Sequence, residues 1–323
     1  MLRELTEPVE LCLPNGELNP AAVGFSRRPL HRTGLRGWGR NKRWEYWGVI
    51  TPEHVVGLTL ADLDYAGMLQ LWLLDRASGR EREVTRVTPL GRGVALPDGG
   101  PPVQVSARAG GVKIELADGP DGTRIVWSGG GIELELFARA GGDCLGVVVP
   151  WSARRFQYTV KDVARPVSGS ITVDGRRFES DGWGVLDRGR GRWPYEITWN
   201  WGAGSGFVAG RRVGLQLGGK WTRGTGSTEC AVFVDGRLSY LPDEPEWTYD
   251  VASKSALWRV VAPRIDVTLT PFHMRCTKVN AVVLSTAIHQ AFGTWNGWVV
   301  DDLGERISVD GLVGWAEEAH NRW

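Results

Sequence analysis

Between Glu179 and Gly206 the chain reads ESDGWGVLDRGRGRWPYEITWNWGAGSG. Asp181, Asp187, Arg188, Arg190 and Arg192 are interleaved there with Trp183, Trp193, Tyr195, Trp199 and Trp201, and Asn200 lies between two of the indoles. A carboxyl group held away from water keeps its proton and can pass it to an alkene or carbonyl, while indole faces stabilise the cation that forms. Asp187 is the candidate acid, with Arg188 beside it and Trp183, Trp199 and Trp201 shaping the site. Positioned acid–base catalysis of this kind is worth roughly 10²–10⁴-fold. The structural alternative is a corner in which Arg188 and Arg190 pair with Asp187, order a strand connection and keep it a carboxylate.

A second constellation runs from Arg43 to Gly67, RWEYWGVITPEHVVGLTLADLDYAG. In a strand Glu45 and Trp47 share one face, so a carboxylate sits beside an indole whichever face is internal. Asp64 and Tyr65 follow an apolar strand, as a turn or as a polar group at a barrel mouth. Lys220 follows Gly218-Gly219 and either lines a cavity or ends a strand in solvent. His273 and His289 are far from each other and from the acids, and neither belongs to an HxH or HExxH metal pattern. Each reads first as a hydrogen-bonded barrel histidine. Neither a metal nor an organic cofactor is implied.

The elements that must position these groups are strands. Short alternating or β-branched runs, among them Arg43–Ile50, Ile132–Ala138, Arg155–Lys161 and Ile265–Leu269, recur with turn signals between them. Asp118-Gly119, Asp121-Gly122, Asp174-Gly175 and Asp235-Gly236 supply tight-turn chemistry. VDGRRF at Val173–Phe178 and VDGRLSY at Val234–Tyr240 predict two similar hairpins. One helix is expected, over Leu312–Arg322, where Leu312, Trp315, Ala316 and Ala319 fall near one face. The fold expected is all-β: two packed antiparallel barrels, residues 1–160 and 161–323, with a short C-terminal helix.

The run GWGVLDRGRGRWP resembles the G-x-W-x-D-R/H-x-W-G signature of the AttH-like, carotenoid-hydratase-like group of paired lipocalin-like domains, and WEYWG resembles that group's N-terminal glutamate-tryptophan motif. More narrowly, the sequence is similar to the bacterial family called domain of unknown function 2804. The resemblance implies two lipocalin-like barrels with a ligand cavity, in a group that includes polyprenoid hydratases, cyclisation catalysts and lipid-handling proteins. Asp187 matches the motif aspartate and Arg188 the residue after it. Gly189-Arg190 stands where many members carry an aromatic-glycine pair.

Composition sets the bounds. With 323 residues and 42% hydrophobic content the chain can fill two cores. Its 38 Lys+Arg against 37 Asp+Glu give no global field for phosphate backbones or anionic lipid, so nucleic acid is not the expected partner. Four scattered cysteines suit a reducing compartment, and the N-terminus MLRELTEPVELCLPNG resembles neither a signal peptide nor a membrane span, so the expected location is cytoplasmic. No GxSxG, GxxxxGK[ST] or strand-to-helix GxGxxG motif is present. With 17 tryptophans to place, the function expected is binding of a hydrophobic or amphipathic small molecule in a tryptophan-lined cavity, with or without chemistry on it. Its candidate site residues are Glu45, Trp47, Asp64, Tyr65, Trp183, Asp187, Arg188, Arg190, Tyr195, Trp199, Asn200, Trp201, Lys220 and His273. The alternatives are a cofactor-independent hydratase, cyclase or isomerase using Asp187, and a carbohydrate-active protein in which Glu45 or Glu179 pairs with Asp187 as acid and base.

Overall fold

The structure, a computed structural model, describes residues 2–98, 102–281 and 284–322. It divides into two compact units, Leu5–Trp193 and Pro194–Trp323, the latter taking in the N-terminal residues as far as Glu4. The larger unit contains β1 (Val9–Glu10), β2 (Phe25–Ser26), β3 (His31–Arg32), β4 (Asn41–Ile50), β5 (His54–Asp62), β6 (Ala66–Asp75), β7 (Glu81–Pro89) and β8 (Gln104–Ala109). It continues with β9 (Val112–Gly119), β10 (Gly122–Gly129), β11 (Ile132–Arg139), β12 (Leu145–Ser152), β13 (Arg155–Val173), β14 (Arg176–Glu179) and β15 (Gly182–Arg192). The smaller unit has β16 (Glu196–Val208), β17 (Arg211–Gly219), β18 (Ala231–Val234), β19 (Arg237–Tyr240), β20 (Glu246–Thr248), β21 (Trp258–Ala262), β22 (Ile265–Ala281), β23 (Leu284–Val300), β24 (Arg306–Ser308) and β25 (Leu312–Arg322). Among the described residues the helical structure is one 3₁₀ turn, Pro20–Ala22, and no helix is long and apolar enough to cross a membrane.

In the larger unit the strand order is β7-β6-β5-β4-β15-β13-β11-β10-β9-β8, antiparallel throughout. The far edge strand β8 returns beside β6 and β7, so the sheet curls into a nearly closed barrel. Period-2 alternation fills it. On β11, Ile132, Leu134, Leu136 and Ala138 are buried while Glu133, Glu135 and Phe137 face outward. Trp47, Trp127, Leu58, Leu60, Leu69 and Leu71 join them in the core. Burying each such side chain contributes about 1.5–3 kcal/mol. The twin VDGR segments form the expected hairpins, with Asp174-Gly175 at φ 49° and 82° and Asp235-Gly236 at 51° and 87°, the left-handed pair that a two-residue turn requires.

β13 organises the candidate site. Its first half pairs with β12 and its second half with β11, while β15 and then β14 flank the other side. Between the halves the register shifts from Asp162 to Arg165, and Ala164 takes φ 54°. Such a bulge bends a strand and re-aims its side chains. The boundary expected between residues 160 and 161 falls inside this strand, all of which belongs to the larger unit. Against the first half of β13 the N-terminal segment lays Leu11, Leu18, Ala22 and Leu35 on Val148, Phe156, Tyr158 and Val160.

The smaller unit is a second curled antiparallel sheet, ordered β19-β18-β17-β16-β25-β23-β22-β21-β20, with Trp258, Trp295, Leu215, Leu217 and Leu269 in its core. The expected C-terminal helix is instead the strand β25, paired along its length with β16 on one side and β23 on the other. Gly314, Trp315, Ala316 and Glu317 are buried in succession, so the first half of this central strand shows no in–out alternation, and Leu312, Trp315, Ala316 and Ala319 match a helical period by coincidence.

Candidate functional site

Strand parity divides the motif run on β15. Arg188 and Arg190 point to the inner face with Leu186, and Glu45 reaches them from the neighbouring β4, where it lies opposite Arg188 in register. Glu45 is 1% exposed. Its carboxylate accepts from Arg188 Nε at 2.9 and 2.8 Å and from Arg190 Nη2 at 2.8 Å. Arg188 Nη2 also donates to Asp118 Oδ2 at 2.9 Å, and Arg190 Nη1 donates to the carbonyls of Trp44 and Gly189 at 2.9 Å each. Burial works against the charge of Arg188, but Glu45 and Asp118 outweigh it and raise the affinity of the guanidinium for its proton. For Arg190, burial together with repulsion by Arg188 prevails over Glu45 and shifts it the other way. Asp118 is buried too, yet Arg188, the Thr123 hydroxyl at 2.7 Å and the Val103 N–H at 3.1 Å hold it below the usual carboxylate range.

Asp118 was expected to make a turn with Gly119. The turn proper is Pro120-Asp121, between β9 and β10, and Asp118 stays in the strand with its carboxylate turned in toward Arg188. Beside this network lies a cavity of about 520 Å³. The β9–β10 turn, the β11–β12 connection at Ala140–Gly142, the Arg27–Pro29 loop and the β13 bulge enclose it. Its lining mixes charged Arg27, Arg28, Asp118, Asp162, Arg165 and Arg188 with apolar Cys144, Val160, Leu186, Pro102 and Pro120. Arg165 is fixed by the carbonyls of Arg139 and Ala138 at 2.8 and 2.6 Å and by Asp162 at 3.4 Å. Burial pushes the Cys144 thiol up, so it remains protonated and unreactive. The lining contains no tryptophan. Trp47, Trp72 and Trp127 are fully buried, and Trp47 packs under the Arg165 guanidinium at 4.9 Å.

Asp187 faces the other way. Across β13 it meets Lys161, whose Nζ lies 2.9 Å from Oδ2, so its counter-ion is a lysine and not the arginines that flank it in sequence. The pair is buried, with Asp187 8% and Lys161 3% exposed. Asp187 Oδ1 is also buried and has no hydrogen-bond partner. Tyr46 lies opposite Asp187 on β4 and Trp44 opposite Gly189. A Cβ at Gly189 would lie 2.0 Å from the Trp44 ring. The glycine that departs from the family signature therefore makes room for an indole supplied by β4, and the arginine after it is spent on Glu45. Glu45 and Asp187 project to opposite faces of the sheet, which removes their reading as a glycosidase pair. Glu179 ends the short strand β14, exposed and bound to Arg177 at 2.8 Å.

The remaining sequence candidates are dispersed. Asp64 accepts from the Gly39 and Asn41 N–H groups at 2.6 and 3.0 Å and from Arg43 at 3.1 Å, which ties a loop. Tyr65 accepts from Lys42 Nζ at 3.1 Å, and burial lowers Lys42 to about 8. Trp183 is half-buried on β15 and Tyr195 is exposed. In the smaller unit Trp199 donates to Glu317 at 3.0 Å and Trp201 to Gln216 at 3.0 Å, with Trp201 edge-on to Trp315. His273 sits half-buried at the β22 register shift. Lys220 and Asn200 do come together, at the hydroxyl of Tyr249, which also meets Glu318. The sequence assigns no site role to Lys161, Arg165, Tyr249 and Glu318, and gives Asp118 only a turn. Each owes its place to a register across strands distant in the chain. Among the described residues no group of three or more His, Cys, Asp and Glu is arranged to hold a metal ion.

The chain belongs to the family described as a domain of unknown function (DUF2804), which matches residues 2–323. Among curated proteins none matches it in sequence. Solved structures share its fold. An AttH protein from Nitrosomonas europaea superposes with a TM-score of 0.54 at 13% identity, covering 86% of this chain and 92% of that one. Kievitone hydratase from Nectria haematococca gives 0.52 at 11% identity, covering 88% and 89%. CghA with Sch210972 gives 0.55 at 13% identity, covering 91% and 89%. At these identities the likeness is one of two-domain lipocalin-like architecture.

Proposed function

We propose that this DUF2804 protein binds an amphipathic small molecule in the cavity of its larger unit. The observation that carries the reading is that cavity itself. Its volume of about 520 Å³ falls in the range of roughly 300–1,000 Å³ usual for small-molecule sites. Its lining mixes charged groups, Asp118, Asp162, Arg165 and Arg188 among them, that can orient polar groups with apolar ones, Cys144, Val160 and Leu186, that can receive apolar ones. That a hydratase and a protein solved with a small molecule share the fold supports a small-molecule partner. The test is native mass spectrometry of the protein from its own cell extract, beside an Ala140→Trp variant whose new indole would stand at the exposed rim. A stoichiometric small-molecule adduct on the natural chain and none on the variant is the expected result. A bare natural chain, or an adduct kept equally by both, contradicts the reading.

A second reading adds chemistry on the outer face of β15, and the orphaned Asp187 Oδ1 favours it. A buried acceptor without a partner costs about 1–3 kcal/mol, a penalty that a bound hydroxyl relieves. There Asp187 takes up a substrate proton and Lys161 supplies one, in a hydration, cyclisation or isomerisation. Asp187→Asn should then abolish turnover of the compound recovered from the extract. Unchanged turnover removes this reading and leaves the binding reading standing.

A further inference from the structure

The smaller unit carries a polar cluster that neither reading above uses. Asn200 lies on the inner face of β16, the face on which Gly202 and Gly204 approach Trp295 of the core. Glu318 faces it across β25, and Lys220 follows the end of β17. Tyr249 ties the three together. Its hydroxyl accepts from Lys220 Nζ at 2.7 Å and from Asn200 Nδ2 at 3.1 Å, and it donates to Glu318, which also receives Lys220. The Tyr249 ring stacks on Trp258 at 4.1 Å and 7°, so the phenol is anchored to the core. Burial, and then Glu318, hold the phenol protonated. Lys220 keeps its charge because Glu318 and Tyr249 outweigh its partial burial.

Two features single this cluster out. Asn200 is 1% exposed, yet its Oδ1 is buried with no hydrogen-bond partner, while Nδ2 is committed to Tyr249 and to the Glu317 carbonyl at 3.1 Å. Reversing the amide would set its oxygen against that carbonyl, so the amide has one orientation and Oδ1 is left without a partner. Lys220 takes φ 66°, a left-handed conformation that costs a residue with a Cβ free energy and turns the ammonium back over Tyr249. The unspent capacity is thus one acceptor, Asn200 Oδ1, and one of the three ammonium N–H groups of Lys220. Lys220 and Glu318 cancel in charge. Lys220 keeps about a third of its side chain accessible, at 35%.

We propose that this end of the smaller barrel is a separate binding subsite for a neutral molecule with two adjacent oxygens, a hydroxyl given to Asn200 Oδ1 and a carbonyl or second hydroxyl accepting from Lys220. A monofunctional ketone satisfies half of it. The charge balance disfavours an anion, which would stand beside the Glu318 carboxylate with the Lys220 charge already neutralised. The site lies in a different unit from the cavity proposed above, so each stands or falls alone.

The test uses the ¹⁵N-labelled full chain and the α-hydroxy ketone acetoin, with butanone as the probe lacking the hydroxyl. Acetoin should shift the Asn200 side-chain amide resonances saturably, and butanone should bind roughly tenfold more weakly, the loss of about one hydrogen bond. Lys220→Gly removes the ammonium while suiting the left-handed backbone, and, with the fold checked by the variant's amide spectrum, it should weaken acetoin by a similar factor. No saturable shift with acetoin, equal affinity for butanone, or undiminished binding by Lys220→Gly would each overturn the proposal.

Discussion

Arg188 and Asp187 are consecutive residues on opposite faces of one strand, and the two faces handle buried charge differently. On the inner face Glu45, Asp118, Arg188 and Arg190 form a network in which the carboxylates neutralise the guanidiniums and backbone groups take up remaining donors. On the outer face Asp187 pairs with Lys161, and the other oxygen of its carboxylate has no hydrogen-bond partner. A fully connected network specifies one arrangement of strands and is costly to break, whereas an incomplete one leaves capacity for a ligand. The motif therefore combines a structural brace with a buried pair whose hydrogen bonding is incomplete, and the cavity lies against the brace.

The largest effect should come from removing the hub of the brace. Glu45→Ala leaves two buried guanidiniums without their shared carboxylate and should cost roughly 3–5 kcal/mol in urea unfolding. A loss under about 1 kcal/mol would break the comparison. Next, Gly189→Ala drives a methyl group into the Trp44 ring and should cost roughly 1–3 kcal/mol by overpacking, with a change in tryptophan fluorescence. Asp187→Asn keeps an oxygen for Lys161 but leaves that buried ammonium without its counter-charge, so roughly 1–3 kcal/mol is expected, below Glu45→Ala, which strands two guanidiniums.

The smallest effect is a dependence on pH. Burial of Asp118 opposes its charge, but Arg188 and its hydrogen bonds bring its folded value below the ordinary 3.8. Its contribution to stability is therefore complete above about 3.8 and is lost as the pH falls through the lower folded value. Unfolding free energies measured across that range should fall less steeply for Asp118→Asn than for the natural chain. An equal slope would show that Asp118 adds nothing to the brace.

The sequence made the strands legible wherever one face is buried and the other wet. β11 alternates cleanly, and the two VDGR turns close the hairpins their residues demand. It also drew attention to the right strand, because arginine, aspartate and tryptophan crowd β15. What stayed hidden was partnership. Asp187 pairs across β13 with Lys161, 26 positions earlier, and Arg188 with Asp118, 70 positions earlier. Local spacing encodes neither register, and the nearest arginines were the wrong counter-ions for Asp187. β25 reads as a helix because Gly314–Glu317 are buried in succession and give no alternation to detect. The strand β13 crosses the expected domain boundary because one long bent strand serves two pairings, and its bulge leaves no breaker residue in Val163-Ala164.

The most direct test of the account sets the two faces against each other with one ligand. The compound recovered from the natural protein should be titrated against Ala140→Trp, which obstructs the inner cavity, and Asp187→Asn, which alters only the outer pair. The account predicts that Ala140→Trp loses binding while Asp187→Asn keeps its dissociation constant within a few-fold. Retained affinity in Ala140→Trp with affinity lost in Asp187→Asn would move the ligand to the outer face and contradict the assignment of the cavity.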